Sequence, residues 1–200
     1  MKTLNISKKI IPLFLTLFLV STSLFAQSTW KVDKPHAKVT FSTVHNTISD
    51  VEGLFNSFDA TITASEEDFS DAVFELTVDV ASIDTEVEKR DDHLRSADFF
   101  NVEKYPTITF KSTSIEETGE ENKYQLTGEL TMHGVTKTVT MDLWYRGTIE
   151  NPQNGDIISG FQVTGTLSRS AFNIGTKFPE ALISDEVVIK ADGEFIKQEA

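Results

Sequence analysis

Cysteine is missing altogether from the 200 residues. Disulfide staples, thiolate metal centres, a cysteine nucleophile and a lipidated N-terminal cysteine are therefore excluded. Histidine is scarce: His36, His45, His93 and His133 stand in no metal spacing such as H-x-H or H-x-x-x-H. Without thiolates, a zinc or copper site would have to gather imidazole or carboxylate ligands from separate strands. No serine sits in G-x-S-x-G, and no glycine-rich loop is laid out to cradle phosphate. The expectation is of no metal site and no enzyme. Positive charge is short as well, with 18 Lys and Arg against 31 Asp and Glu. That balance works against nucleic acid and against an anionic membrane surface as partners. It leaves a neutral lipid open, because such a ligand is held by apolar surface inside a fold.

Long hydrophobic runs are lacking too. The one candidate, Ile10 to Val20, is interrupted by Pro12 and Thr16, and a membrane span needs about 20 residues. Lys2, Lys8 and Lys9 precede this run, and small residues lead from it towards Ala26. A basic region, a short apolar core and a small residue at the cut describe a secretory signal peptide over residues 1–26. Residues 27–200 are then one exported domain, periplasmic or secreted, with no stable membrane anchor. Such cleavage leaves 15 basic and 31 acidic residues, a formal charge of −16. A chain of this size buries most of its unfolded surface without staples.

What the domain does contain is strand alternation, repeated from end to end. Ser28 to Asp33 is a short strand that Lys34-Pro35 interrupts. Val39, Phe41 and Thr43 then share one face. Asp50 to Gly53 reads as a turn or bulge, and Leu54, Phe58, Ala60 and Ile62 follow. Ser65 to Ser70 is a polar loop. Phe74, Leu76, Val78 and Val80 share the apolar face of the next strand. After the Ile108 strand come Tyr124, Leu126, Leu130 and Met132, then Val139, Met141, Leu143 and Tyr145. Phe161, Val163 and Leu167 form another set, and Val187, Ile189, Ala191 and Phe195 the last. Turn signals separate them at Glu117 to Asn122, His133-Gly134 and Asn151 to Asp156. Only Glu86 to Phe100, and a short piece at Ser170 to Ile174, read as helical.

The fold class is all-β: eight one-faced antiparallel strands, with a short helix between them. Eight such strands bury their apolar faces between two sheets or inside a closed barrel. A barrel of this size is either filled or holds one small ligand. Gly128, Gly147, Gly165 and Gly193 fall in phase with the apolar faces. They either open space in a lumen or let strands coil at barrel corners. Phenylalanine is abundant, with 15 in the chain, which suits both an aromatic lumen and a packed core. The cluster Arg90, Asp91, Asp92, His93 and Arg95 reads as an acid–base group or, more plainly, as helix ion pairs with Asp91 and Arg95 at i, i+4.

Several ordered motifs carry a family resemblance. They are W-K-V-D at Trp30 to Asp33, H-A-K-V-T-F at His36 to Phe41, G-L-F-N-S-F at Gly53 to Phe58, and R-D-D-H-L at Arg90 to Leu94. D-F-F-N-V-E-K-Y-P-T-I-T-F at Asp98 to Phe110 and G-E-L-T-M-H-G-V-T-K at Gly128 to Lys137 follow. Together they resemble the YceI-like family of exported, lipocalin-like isoprenoid-binding proteins. The chain departs from that pattern at Ala37, where the family often has serine, and at Ala171 and Asn173, where the late R-x-D-F-G motif has aspartate and glycine. The resemblance implies an eight-stranded antiparallel lipocalin-like barrel over residues 27–200. It binds, sequesters or transports an isoprenoid lipid, such as a quinone tail or a polyprenyl phosphate, without catalysis and with no cofactor besides that ligand. By alternation, Phe41, Phe58, Phe74, Leu76, Phe110, Leu126, Leu130, Leu143, Phe161 and Val163 line the lumen. Phe99, Phe100, His93 and Arg95 stand at the mouth. The alternatives are an extracytoplasmic stress-response or structural protein with a packed core acting through partners, and an enzyme working on lipid head groups near His93 and Arg95. Homodimerisation is compatible with each.

Overall fold

The computed structural model describes residues 27–199. The signal-peptide expectation for residues 1–26 lies outside the described residues. In chain order the elements are β1 (Ser28–His45), β2 (Ser49–Phe55), β3 (Phe58–Ala64), β4 (Val73–Asp79), β5 (Ile83–Asp84), α1 (Glu88–Arg95), β6 (Thr107–Glu117), β7 (Lys123–Met132), β8 (Val135–Glu150), β9 (Ile157–Ser168) and β10 (Ile183–Lys197). The strands follow one another antiparallel in the order β10-β9-β8-β7-β6-β4-β3-β1, and β10 also pairs with β1. Eight strands thus close into a barrel. Outside that ring, β2 pairs with the second half of β1 and carries the two-residue β5.

Alternation builds this wall. Along β7, Tyr124, Leu126, Leu130 and Met132 are buried, while Lys123 and Glu129 face solvent. The same split on β8 buries Met141 and Leu143 and exposes Asp142 and Trp144. The His133-Gly134 signal becomes a two-residue turn with φ of +52° and +74°, the left-handed backbone that tight hairpins demand.

Three local expectations change. The Lys34-Pro35 break does not end a strand, because β1 runs through it. Its register against β10 jumps between Val32 and Ala37, so a bulge absorbs the proline that a regular ladder could not hydrogen-bond. Asp50 to Gly53 is strand rather than turn, paired with Phe41 to Val44. Gly53 is needed there because a Cβ would enter the Phe41 ring. The helix is shorter than Glu86 to Phe100. It stops at Arg95, where Ser96 turns to extended backbone and its hydroxyl donates to the His93 carbonyl at 2.7 Å.

The core divides the barrel into two ends. At one end the rings of Trp30, Phe69, Tyr145 and Phe161 lie 4.9 to 5.4 Å apart in successive contacts. This end also holds the β3–β4, β6–β7 and β8–β9 connections. The opposite end is covered by α1, the segment 96–106 and the loop 173–182, which follows a 3-10 turn at Ser170–Phe172.

Candidate functional site

Between these ends the barrel encloses a cavity of about 240 Å³. Its floor is formed by Phe74, Phe161 and Phe195, and its mouth by Phe41, Phe55, Leu94, Phe99, Phe100 and Ile174. One stretch of wall is thin: Ala37, Ala191 and Gly193 from β1 and β10 are small, so backbone borders the cavity there. That thinness is enforced, since a Cβ on Gly193 would stand 2.8 Å from the Cβ of Ala37. The surface facing the cavity is otherwise predominantly apolar, as a site for a hydrocarbon chain requires, although a few charged and polar residues, Arg169 and Glu75 among them, also border it.

Phe41, Phe58, Phe74, Leu76, Phe110, Leu126, Leu130, Phe161 and Val163 all border this cavity. Leu143 does not. It is only 2% exposed, packed into the core off the cavity wall. The glycines divide as well. Gly128 lies under the Phe110 ring and Gly165 against Met141, whereas Gly147 sits at a bulge with φ +114° and open space around it.

At the mouth, Phe99 and Phe100 border the cavity, while His93 and Arg95 stand outside it. The His93 ring packs edge-on to Phe99 and Phe178, and its Nε2 lies 3.2 Å from Asp98. The Asp98 carboxyl is held below the usual carboxylate range, chiefly by its contact with the Lys177 ammonium and then by His93. Arg95 donates to the carbonyls of Ala81 and Ile83 at 2.9 and 2.7 Å and pairs with Asp92, not Asp91, at 3.1 Å. Asp91 is buried and accepts hydrogen bonds from the backbone and hydroxyl of Thr85, which in turn receives Arg90. This charged cluster therefore ties α1 to β5 and the residues flanking it, outside the ring, rather than facing the cavity.

Two residues that alternation did not single out shape the site. Phe69, in the loop expected to be merely polar, is 2% exposed and folds across the closed end of the barrel. Its one sequence signal was a lone aromatic among acids. Arg169 is 6% exposed and borders the cavity. Its five N–H groups all donate to main-chain carbonyls: Ser184, Ile174, Gly175, Phe178 and Ile183, at 2.7 to 3.1 Å. No donor is left over for a ligand. Beside it, Asp185 has its carboxyl lowered, first by the Ser168 hydroxyl, with the Ser170 amide and Arg169 adding to the effect. The departure at Asn173 also finds its reason here. Asn173 has φ +59°, and asparagine is among the few non-glycine residues that tolerate left-handed backbone.

On the outer side of the β1 bulge, Asp33, His36 and Glu194 bring one donor atom each within 4.8 Å of one another. His36 Nδ1 lies 2.8 Å from Asp33. Hydrogen bonding and charge from Asp33, then the charge of Glu194, raise the pKa of this exposed imidazole above 6.5. The group is separate from the cavity.

The family model of the YceI-like domain matches residues 30–195. Protein YceI of Salmonella newport is 36% identical over 188 residues, covering 93% of this chain and 97% of that protein. Among solved structures, BcnA of Burkholderia cenocepacia superposes with a TM-score of 0.74 at 30% identity, over 82% of this chain and 98% of that one. The YceI protein of Campylobacter jejuni gives 0.69 at 31% identity, over 76% and 88% of the two chains. A Saccharophagus degradans domain described as polyisoprenoid-binding shares the fold, with a TM-score of 0.64 at 15% identity, over 84% of this chain and 98% of that one. Whole-domain sequence similarity and a shared closed barrel together place the chain in the YceI-like family.

Proposed function

We propose that this protein binds an isoprenoid lipid, by the tail of a quinone or polyprenyl chain, inside the barrel and without chemical conversion. The observation that carries the reading is the apolar cavity, closed by aromatic rings at one end and capped by Phe99 and Phe100 at the other. Each buried methylene contributes about 0.8 kcal/mol, so hydrocarbon contact alone retains a chain. The volume of about 240 Å³ lies below the roughly 300–1,000 Å³ of sites that enclose a drug-sized ligand. A tail therefore enters while its head group stays at the mouth. A fold relative described as polyisoprenoid-binding supports the reading. The ionisable group on the cavity wall with the deepest burial, Arg169, has every donor engaged by backbone, which favours binding over catalysis.

Export is part of the proposal and rests on the basic, apolar and small-residue sequence of residues 1–26. Among the described residues, no helix is long and apolar enough to cross a membrane.

Native mass spectrometry of the protein purified from its own host, followed by organic extraction, tests binding. The expected result is a co-purifying species of isoprenoid mass that disappears in Leu126→Trp, where the added ring fills the cavity. A bare polypeptide mass, together with no uptake of added ubiquinone or polyprenol, overturns the reading.

A further inference from the structure

We infer that the aromatic floor sets the length of chain the barrel accepts, with Phe161 as the stop and Phe69 as the plug behind it. The inference rests on the isoprenoid-binding reading and adds a specificity to it.

Phe161 borders the cavity and is 3% exposed. Its ring contacts four others, Phe69 at 4.9 Å, Phe74 and Tyr145 at 5.4 Å, and Phe195 at 5.8 Å. Behind it lie Phe69 and Trp30, 5.2 Å apart, which border no part of the cavity. The floor is thus two aromatic layers thick.

The plug is held under strain. Phe69 has φ +61°, left-handed backbone that is uncommon for a bulky side chain and has an energetic cost. The surrounding loop imposes it. Asp71 accepts from the amides of Ser65 and Glu66, Asp68 accepts from the amide of Ser70, and Tyr124 donates to the Asp68 carbonyl. A polar loop built only to join two strands has no need of a strained, buried phenylalanine at its tip. Strain of this kind concentrates where surrounding structure forces a functional placement.

The floor also fixes a depth. Along β9 the wall runs from Phe161 to Leu167, about 20 Å of strand at 3.3 Å per residue, or roughly 15 Å along the axis of a barrel tilted near 40°. A few prenyl units fill that depth, and any further unit must remain outside.

The experiment measures dissociation constants for neutral all-trans prenols of increasing length, from two isoprene units to eight, by competition against a fluorescent prenol. In wild type, affinity rises about tenfold or more with each unit that still enters apolar surroundings, then levels off. Phe69→Gly suits the left-handed backbone and removes the plug, letting Phe161 swing back, so the plateau moves to longer chains. Phe74→Trp thickens the floor and moves it to shorter ones. Circular dichroism and thermal melting verify that both variants fold. An unchanged plateau in two folded variants, or affinity that climbs without levelling in wild type, overturns the chain-length stop while leaving isoprenoid binding intact. If no prenol binds wild type, the binding reading itself fails.

Discussion

Replacing Arg169 with methionine removes five hydrogen bonds from a buried cation to the carbonyls of Ile174, Gly175, Phe178, Ile183 and Ser184. Bonds to a charged group contribute about 1.5–3 kcal/mol each, a gross total near 10 kcal/mol. Most of that is offset, because burying a guanidinium costs several kcal/mol and the variant avoids this cost. Some of the freed carbonyls also regain water once the mouth loop loosens. The net expectation is a loss of about 3–5 kcal/mol, a large part of the roughly 5–15 kcal/mol that holds a domain folded. In a domain of this size each 1 kcal/mol moves Tm by about 2–4 °C, so Arg169→Met should melt at least 6 °C lower. Urea titration followed by far-UV circular dichroism gives the free energy directly. Arg169→Lys keeps the charge but brings three donors in place of five, and should fall between wild type and the methionine variant. A methionine variant within about 1 kcal/mol of wild type would refute the claim that this guanidinium organises the mouth.

The other expectations concern pH and packing. Asp185 has a depressed pKa in the folded state, so its contribution is present above its unfolded value of 3.8 and is lost as pH falls through the folded one. Asp185→Asn should flatten the acid limb of stability, read from urea midpoints between about pH 5 and 2.5. His36 behaves in the opposite sense. Its pKa is raised by Asp33, so its contribution is complete below 6.5 and fades as pH climbs through the folded value. In Gly128→Ala the new Cβ would lie 2.5 Å from the Lys111 carbonyl oxygen and 2.6 Å from the Phe110 ring. The expected loss is about 1–3 kcal/mol, measured by the same titration.

Alternation made the barrel legible because each strand has a wet face and a dry one, and a one-residue error would invert both. The inward sets on β7 and β9 follow from that alone. It does not tell a residue that borders the cavity from one packed beside it, and Leu143 shares the inward phase of β8 yet lies off the cavity wall. Depth within the barrel depends on strand tilt and register, and neither has a signature in a single strand. Pro35 has the local signature of a break, and only the partner strand β10 turns it into a bulge within β1. Phe69 escaped for a related reason: its burial comes from a loop folding over the barrel end, and the period of the surrounding residues carries no trace of it. Arg169 is visible in the sequence only as the arginine of the late motif, and its burial is not, since most of the carbonyls that engage it lie on a loop without periodicity.

Closure of the ring by β1 and β10 joins Trp30 to Lys197 and Phe41 to Ile189. The first strand of the domain thus waits for the last. Contacts so distant along the chain are slow to form, because the entropy of closing the intervening loop is lost before the pairing repays it. A nascent chain has no finished barrel until its C-terminal strand is available. If the chain is exported as proposed, such a delay would keep the polypeptide threadable during translocation and postpone its folding to the far side.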